Sequence, residues 1–386
     1  MSKFADALAQ PGLRAIAEVK RRSPSAGDLR PDADPARLAA QFAAVGAAAI
    51  SVLVDERFAG TLEDLRAARA ATDAPLLGKG FFATEEHLRE LKEAGADAVL
   101  LILRDLDDET CARLLAYAHD LGMDALVEAH DADELQRAMA LDAPVIGINA
   151  RNLETFEIDR RAQLQLVARA PRDRLVIAES GIESTAQGAA AELAGAGAIL
   201  VGSALMRAPD PAAKLRELLS RPLVKVCGLT RQDDVDAAVE AGADLLGFIH
   251  VDASPRRSDT VLDVPETRLS VSVFVEETRE TPADLIQFYP DRGSGVRGRE
   301  AMLLRDGVRV GTLLDQPWDE HDALHWSRAA AANGRIMLAG GLGPENVRDA
   351  IAAVRPWAVD ASSSLESQPG VKDHDRVRAY VEAARA

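Results

Sequence analysis

The sequence has very little cysteine, which limits both its cross-links and its metal sites. Among 386 residues there are two cysteines, Cys111 and Cys227. Two are too few for a disulfide framework, and they do not fall in a metal-ligand spacing. The seven histidines show no such spacing either, and most of them are interpreted as surface or helix-end residues. We therefore predict a reducing compartment and no metal.

Aromatic residues are also scarce. They make up 4% of the chain, whereas hydrophobic residues as a whole make up 47%. The cores must then be built largely from Ala, Val, Leu and Ile. Such residues suit helices packed closely around parallel strands.

Long hydrophobic runs and positive charge are missing as well. The longest apolar run, residues 98–103, is far too short to span a bilayer, and the N-terminal MSKFADALAQ lacks the apolar region of a secretory signal. Lys and Arg number 45 against 62 Asp and Glu, and the resulting charge of -17 would repel nucleic acid and anionic membranes. We expect a soluble, cytoplasmic protein that binds neither. A small anionic substrate is still compatible with this charge where cations gather locally.

What the sequence does have is a regular alternation of short apolar runs with segments of helical spacing. That alternation indicates βα units and a parallel sheet. Eight such runs in the first part of the chain predict a closed (β/α)8 barrel. They lie at residues 14–19, 48–54, 75–79, 97–103, 123–129, 144–150, 174–180 and 198–203.

A second series of runs begins near Leu223. The chain exceeds the roughly 250 to 300 residues beyond which a single core stops growing, so two domains are expected. The predicted fold class is α/β, with two tandem (β/α)8 TIM barrels over residues 1–220 and 222–386. The second series lies at residues 223–228, 243–249, 269–275, 285–289, a pair within 301–314, 335–341 and 357–362.

The middle of the second series departs from the barrel pattern. Between the two apolar runs of residues 301–314 there is only an Arg-Asp-Gly turn, which is typical of a hairpin. Parallel neighbours cannot be joined so tightly. We therefore expect the second barrel to be shortened or irregular around its fourth to sixth strands.

In this fold the active site forms where the strands end, so polar residues that close the apolar runs are the candidates. Nearly every run of the first series ends in one. Because an isolated buried charge is costly unless it is paired or used, this density favours a site over solvated loop charges. The candidates are Glu18, Lys20, Lys79, Glu128, Asn149, Arg151, Glu179, Ser180, Gly202 and Ser203.

The same segments resemble indole-3-glycerol-phosphate synthase in sequence and in position, over residues 4–220. That family closes an indole ring from a carboxyphenylamino-deoxyribulose phosphate, losing carbon dioxide and water without a cofactor. The motifs are IAEVKRRSPS (16–25), SVLVDERFAGTLEDL (51–65), LVEAH (126–130), IGINARNLETF (146–156), AESGI (178–182) and VGSALMR (201–207).

The resemblance implies a role for each candidate. Lys79 matches the general acid that protonates the ribulose carbonyl oxygen, and Glu128 matches its partner carboxylate in the dehydration. Lys20 would hold the anthranilate carboxylate and the developing oxyanion. The remaining matches are Glu18, Asn149, Arg151, Glu179 and Ser180 for the substrate, and Ser23, Gly181, Gly202 and Ser203 for its phosphate.

One feature departs from the synthase pattern. Lys79 lies between Gly78 and Gly80, so the neighbouring charges that would orient it and tune its pKa are absent.

Residues 195–202, GAGAILVG, also invite comparison with a dinucleotide fingerprint. Their glycines precede a strand instead of leading from a strand into a helix, so we reject that interpretation and predict no cofactor.

Residues 223–249 and 338–366 resemble the opening and the close of phosphoribosylanthranilate isomerase, which performs an Amadori rearrangement. Alone, a cysteine after a strand is more often a small core residue, but within KVCGLT Cys227 matches the family's general base. Asp315 is the candidate acid. Arg256 matches the anthranilate-binding arginine, with Arg257 as the alternative. Phosphate and sugar would be bound by Gly340, Gly341, Ser362, Ser363 and Asp360, the last of which could instead cap a turn.

The isomerase resemblance is weakest in the middle of the second barrel. Tyr289 stands where the family usually has His, and residues 316–322 replace the Gly-rich loop expected after the catalytic aspartate.

The leading hypothesis makes both barrels active in consecutive steps on anthranilate-derived sugar phosphates, with no oligomer required. An alternative keeps the synthase and makes the C-terminal barrel a non-catalytic scaffold. A third is a related sugar-phosphate barrel acting on another anthranilate-like amine, against which the pair of Lys20 and Arg151 argues.

Overall fold

The computed structural model describes residues 3–152, 155–291, 300–316 and 324–386. Contacts divide the chain into two compact units, Met1–Glu183 with Gly188–Leu219, and Ser184–Gln187 with Ser220–Ala386. Each unit contains a closed eight-stranded barrel, which confirms the predicted pair of barrels.

Every strand of the first barrel lies parallel to both neighbours. Each apolar run predicted for this barrel contains one of them. The strands are β1 Arg14–Val19, β2 Ala49–Leu53, β3 Leu76–Lys79, β4 Ala98–Ile102, β5 Asp124–Ala129, β6 Val145–Asn149, β7 Leu175–Glu179 and β8 Ala198–Val201.

Helices cover the outside of this barrel, so its strands are apolar on both faces. Many of these helices begin after an Asp or Thr whose side chain accepts a backbone N–H of the first turn, as Asp131 does from Glu134. The helices are Lys3–Leu8, Pro35–Ala44, Leu62–Ala71, Glu85–Glu93, Asp108–Asp120, Ala132–Ala140, Arg160–Arg169, Thr185–Ala194, Ser203–Arg207 and Pro211–Leu219, with 3-10 turns at Glu56–Phe58 and Leu103–Asp105.

The N-terminal helix Lys3–Leu8 covers the end of the first barrel at which the strands begin. Its buried Phe4 and Leu8 join a core cluster with inward-facing strand residues such as Ile16 and Leu126. The half of the barrel in which the strands begin is therefore a packed core, and space for a ligand is left at the end where the strands finish.

The second barrel is of mixed direction. β12 and β13 are antiparallel, as are β13 and β14, and the other neighbours are parallel. Its strands are β9 Leu223–Cys227, β10 Leu245–Ile249, β11 Leu269–Val275, β12 Leu285–Tyr289, β13 Glu300–Arg305, β14 Val308–Leu314, β15 Ile336–Leu338 and β16 Ala358–Ala361.

The predicted hairpin is confirmed. β13 and β14 are joined through Asp306 and Gly307, whose φ angles of 48° and 78° both lie in the left-handed region. Such a two-residue turn matches the twist of paired antiparallel strands. The irregularity also reaches further than predicted, because within the described residues no helix follows β10 or β11. The helices of this unit are Gln232–Ala241, His325–Ala331, Val347–Val354 and His374–Arg385, with a 3-10 turn at Ser363–Leu365 and a two-stranded ribbon of Glu366–Gln368 and Val371–Lys372.

In the described ranges, no helix combines the length and the apolar character that crossing a membrane requires.

Candidate active sites

Charged side chains cluster at one end of the first barrel, because every second residue of a strand faces the barrel interior. Successive strand residues point to opposite sides, so a residue two positions after an inward-facing one also faces inward. Each of four strands has an apolar residue in the interior core and a charged residue two positions later. The pairs are Ile16 with Glu18, Leu77 with Lys79, Leu126 with Glu128 and Ile177 with Glu179.

Lys79 lies at the centre of these charges. Its Nζ is 2.6 Å from Glu179 Oε2 and 3.7 Å from a carboxylate oxygen of both Glu18 and Glu128. Lys20 Nζ lies 2.7 Å from the other oxygen of Glu18. The groups that orient Lys79 therefore come from three other strands, which supplies what its glycine neighbours in the sequence cannot.

These contacts shift the pKa values in opposite directions. Burial alone would lower the pKa of Lys79, but Glu179, Glu18 and Glu128 outweigh burial and raise it. Burial raises the pKa of Glu179 to about 8, aided by Glu128 and opposed by Lys79. Burial would also raise the pKa of Glu128, yet Lys79 and His130 bring it down to about 2. The site thus favours a protonated lysine and an ionised Glu128, whereas burial makes Glu179 easier to protonate than an ordinary carboxylate.

A glycine on β6 leaves the space that Glu179 occupies. A Cβ at Gly147 would lie 2.1 Å from Glu179 Oε1. We predict that Gly147→Ala displaces Glu179 from Lys79 and lowers kcat/KM of the ring closure that the synthase resemblance implies by on the order of 100-fold. Steady-state kinetics on the carboxyphenylamino-deoxyribulose phosphate would measure this loss. Gly188→Ala is the control, because the nearest atom to its Cβ would be a methyl group of Leu13 at 3.3 Å, with the other contacts at 3.6 Å or more. Full activity of Gly147→Ala would contradict the need for Glu179 at this place.

The charged cluster around Lys79 faces a cavity, and the residues predicted to bind phosphate lie around the rim of that cavity. Ser23, Gly181, Gly202 and Ser203 all line it. The backbone after β7 is unusual, because Ser180 and Gly181 have φ angles of 69° and 68°. Non-glycine residues adopt this conformation infrequently, and such residues are concentrated at functional sites.

The guanidinium of Arg151 is fixed beside the rim. Its Nη1 donates to Ser25 Oγ at 2.9 Å, and its backbone N–H donates to Asn149 Oδ1 at 3.0 Å. Both Asn149 and Arg151 line the cavity, whose volume is about 820 Å³. The first barrel therefore gathers all the residues predicted for it at one site.

Sequence reasoning missed an aromatic wall of this cavity. Phe58 and Phe81 stack with ring centroids 6.4 Å apart, and the Arg57 guanidinium lies 3.5 Å from the centroid of Phe81. All three line the cavity. The only signal was the position of Phe81 two residues after Lys79, on the same side of an extended chain.

The interpretation of the histidines was also incomplete. The side chain of His130 is 11% exposed and lies between two carboxylates, 3.3 Å from Glu128 and 3.0 Å from Glu134. The spacing of His130 and Glu134 across a strand-to-helix junction was the available signal. His325 in the second barrel is buried as well.

The second barrel has a buried cation in its interior that sequence reasoning also missed. Lys225 is fully buried, and its Nζ donates to Asp360 Oδ2 at 2.9 Å and to Gln287 Oε1 at 2.7 Å. Lys225 precedes Cys227 by two positions on β9, so both face inward. Burial raises the pKa of the Cys227 thiol, while Lys225 and Lys372 oppose that rise. Asp360 lies within β16, and pairing with Lys225 is its observed contact.

A hydrogen-bond chain leads from this lysine to Asp315. Gln287 Nε2 donates to Tyr289 Oη at 2.9 Å, and Tyr289 Oη donates to Asp315 Oδ2 at 3.0 Å. The tyrosine that stands in place of histidine is thus built into the site.

Tyr289→Phe tests that link. Removing the hydroxyl takes away a buried hydrogen bond, worth roughly 0.5 to 1.5 kcal/mol, so we expect kcat of the reaction in the second barrel to fall roughly twofold to tenfold. Tyr380→Phe is a matched control, because among the described residues the buried Tyr380 hydroxyl has no hydrogen-bond partner. Equal kcat values for the two variants would contradict a role for Tyr289 in holding Asp315.

Arg256 borders the site of the second barrel, and its guanidinium already pairs with a carboxylate. A Cβ at Gly228 would meet both Ser362 Oγ at 2.8 Å and Arg256 Cδ at 3.0 Å, so the arginine borders the loop after β9. Its guanidinium contacts Glu366 with both Nε and Nη2, at 2.8 Å each. Arg257 points instead to the exposed carboxylates of Asp252 and Asp259.

The remaining predicted residues of the second barrel also meet at the strand ends. The described residues there enclose a cavity of about 50 Å³, lined by Cys227, Tyr289, Gly340, Gly341, Asp360, Ser362 and Ser363. Within the described part of the chain, Ser362 Oγ is buried without a hydrogen-bond partner. The loop after Asp315, from residue 317 to 323, lies outside the described residues. No cluster of His, Cys, Asp or Glu with metal-binding geometry occurs among the residues that the structure describes.

Comparison with known families adds sequence evidence for both halves. The family model of indole-3-glycerol phosphate synthase matches residues 1–218. The model of N-(5'phosphoribosyl)anthranilate isomerase matches residues 301–383.

Known relatives extend over one half or over the whole chain. The tryptophan biosynthesis protein TrpCF of Yersinia pestis is 36% identical, over 96% of this chain and 84% of its own. The indole-3-glycerol phosphate synthase of Nocardioides sp. is 50% identical, over 54% of this chain and 80% of its own. A multifunctional tryptophan biosynthesis protein of Schizosaccharomyces pombe is 33% identical over 99% of this chain, which spans 61% of that relative's length.

Proposed function

The chain belongs to the family of bifunctional indole-3-glycerol phosphate synthase and phosphoribosylanthranilate isomerase proteins, and from that premise we propose how its side chains perform the two reactions. The isomerase half converts phosphoribosylanthranilate to the carboxyphenylamino-deoxyribulose phosphate, an aminoketose. The synthase half then closes the indole ring with loss of carbon dioxide and water. The domains proposed for these steps are residues 222–386 and residues 1–220.

The observation that carries the synthase proposal is a single lysine amine among three buried carboxylates in a large cavity. Lys79 lies within 3.7 Å of all three, which keeps it protonated before the reaction begins. It donates its proton to the ribulose carbonyl oxygen as the aromatic carbon attacks. Glu179, at 2.6 Å, holds the amine in place and can return a proton to it after the transfer.

The dehydration that follows needs a base, and Glu128 is the best placed candidate. Its low pKa keeps it ionised, and its Oε2 lies 3.7 Å from Lys79. Lys20 and Arg151 provide the cations for the anthranilate carboxylate, supported by Glu18 and Asn149. The phosphate lies against the backbone N–H groups of Gly181, Gly202 and Ser203, with Ser23 also lining the cavity.

In the second barrel, Cys227 removes the C2 proton and Asp315 protonates the ring oxygen of the ribose. The anthranilate carboxylate takes the place of Glu366 on Arg256, a like-for-like exchange of one carboxylate for another. The unpaired Ser362 hydroxyl supports phosphate binding there, together with Gly340, Gly341 and Ser363. Asp360 lines the cavity and holds the buried Lys225, whose charge acts on Cys227.

The acidic composition supports small sugar phosphates as the partners, and we propose that neither nucleic acid nor membrane is bound. Because each proposed site is built from one barrel, no oligomer is required. We place the protein in the cytoplasm, where its two cysteines would stay reduced.

The test is to supply phosphoribosylanthranilate to the full chain and follow three species: substrate, aminoketose and indole-3-glycerol phosphate. We expect transient aminoketose followed by the indole product. Unchanged substrate would contradict the isomerase. Aminoketose that accumulates without indole would contradict the synthase.

A further inference from the structure

The junction between β5 and the following helix places a histidine directly behind Glu128. Glu128 is the second-to-last residue of β5, and His130 comes just after the strand. Glu134, in the first turn of helix Ala132–Ala140, accepts the backbone N–H of His130 at 2.8 Å and lies 3.0 Å from its Nδ1. The imidazole is thereby fixed at both its backbone and its ring.

The other ring nitrogen faces the site. His130 Nε2 lies 3.3 Å from Glu128 Oε1, and the second oxygen of that carboxylate lies 3.7 Å from Lys79 Nζ. The side chains of Glu128, His130 and Glu134 are 2%, 11% and 11% exposed, so water screens these charges little. With Nδ1–H directed at Glu134, an imidazolium carries its second N–H on Nε2, which lies within ion-pair distance of Glu128 and has no hydrogen-bond partner among the described residues.

We propose that His130 is a positioning residue for ring closure: anchored by Glu134, its imidazolium binds one oxygen of Glu128 and keeps the other turned toward Lys79 and the cavity. The proposal rests on the function proposed for the first barrel, in which Glu128 is the base of the dehydration. His130 itself does not line the cavity. It would act on the reaction through Glu128.

The carboxylates of Glu128 and Glu134 favour the protonated, cationic form of His130. Burial would lower the pKa of His130, but Glu128 and Glu134 outweigh burial and raise it to about 10. The charged groups around Glu128 are Lys79 and His130, which favour its ionised form, and the carboxylates of Glu179 and Glu18. Removing His130 would leave Glu128 with one cation in place of two.

A purely structural role for His130 is a distinct alternative with different consequences. The helix is already capped by Asp131, whose Oδ1 accepts the Glu134 N–H at 2.8 Å. The contact between Nε2 and Glu128 adds nothing to that cap. A residue that only joined strand and helix would alter stability when changed, but not the ionisation of a catalytic carboxylate.

The first test is the pH dependence of kcat for ring closure in His130→Gln, which is neutral but still polar, measured with the full chain and supplied aminoketose. Without the cation the pKa of Glu128 rises, so the acid limb of kcat should move to higher pH. We expect kcat at neutral pH to fall about tenfold while KM changes less than twofold. His119→Gln, at an exposed position, is the control and should match the wild type.

A second variant acts from the other side and covers the case in which His130→Gln folds poorly. Glu134→Gln keeps an acceptor for His130 but removes the negative charge, so the pKa of His130 should fall. The alkaline limb of kcat should then move to lower pH.

Limbs unmoved in both variants would overturn the proposal, even if kcat dropped. Wild-type chain that fails to close the ring would overturn the proposed function instead, and the two failures are therefore distinguishable.

Discussion

Lys79→Ala should stop the reaction sequence at the aminoketose. Phosphoribosylanthranilate would still be consumed, because that step belongs to the other barrel, but indole-3-glycerol phosphate would form more slowly by about 100-fold to 10,000-fold, the usual contribution of a positioned proton donor. Separating both products by chromatography from a single incubation would measure the two steps side by side. The isomerase half serves as an internal check on the concentration of active chain.

The expected loss has two physical sources, and they must be separated. Without the amine, Glu18, Glu128 and Glu179 lose a shared counter-ion, and removing one partner of a buried ion pair commonly costs about 3 to 5 kcal/mol of stability. Thermal unfolding followed by circular dichroism would show whether the first barrel is still folded at the assay temperature. Lys79→Arg, which keeps the charge, should keep the fold but still lose most ring closure because arginine does not give up its proton.

Lys92→Ala is the matched control. Lys92 lies in the outer helix Glu85–Glu93 and is exposed, with a long 3.4 Å contact to Gly122 O. Its removal should leave both rates unchanged. Ring closure by Lys79→Ala within tenfold of the wild type would mean that another group supplies the proton.

Much of the first site could be predicted from the sequence because two simple rules act together. Parallel barrel strands end at one rim, and inward-facing residues repeat every second position, so Lys79 and Glu128 had to meet whatever the details of packing. The fully apolar runs before them identified the strands. The hairpin at residues 301–314 was predictable for a similar reason, since a two-residue turn admits only antiparallel neighbours.

The missing parts depend on contacts between distant segments. That Lys79 is oriented by Glu179 could not be read from its glycine neighbours, since the partner lies 100 residues away. Nor does the sequence show that Gly147 clears the space for that carboxylate. Arg256 was predicted to match the anthranilate-binding arginine, but the sequence does not show that Glu366, 110 residues later, pairs with it. Such pairings arise only when the barrel closes.

Cys227→Ala should leave phosphoribosylanthranilate unconsumed while ring closure of supplied aminoketose continues at the wild-type rate. Loss of a general base typically lowers kcat by about 100-fold to 10,000-fold. Cys111→Ala is the natural control, because Cys111 is the other buried cysteine and lies on the outer helix Asp108–Asp120 of the first barrel. Substrate consumption unaffected by Cys227→Ala would favour the alternative in which the second barrel is a non-catalytic scaffold.

The environment of this thiol also predicts how the wild-type isomerase responds to pH. A base acts in its deprotonated form, and burial raises the pKa of Cys227 even though Lys225 and Lys372 oppose that rise. The kcat of the isomerase should therefore increase with pH through neutrality and beyond. Lys225→Met removes the nearest cation, so the increase should move to still higher pH, whereas a thiol that serves only as a core residue would leave the pH profile of the variant unchanged.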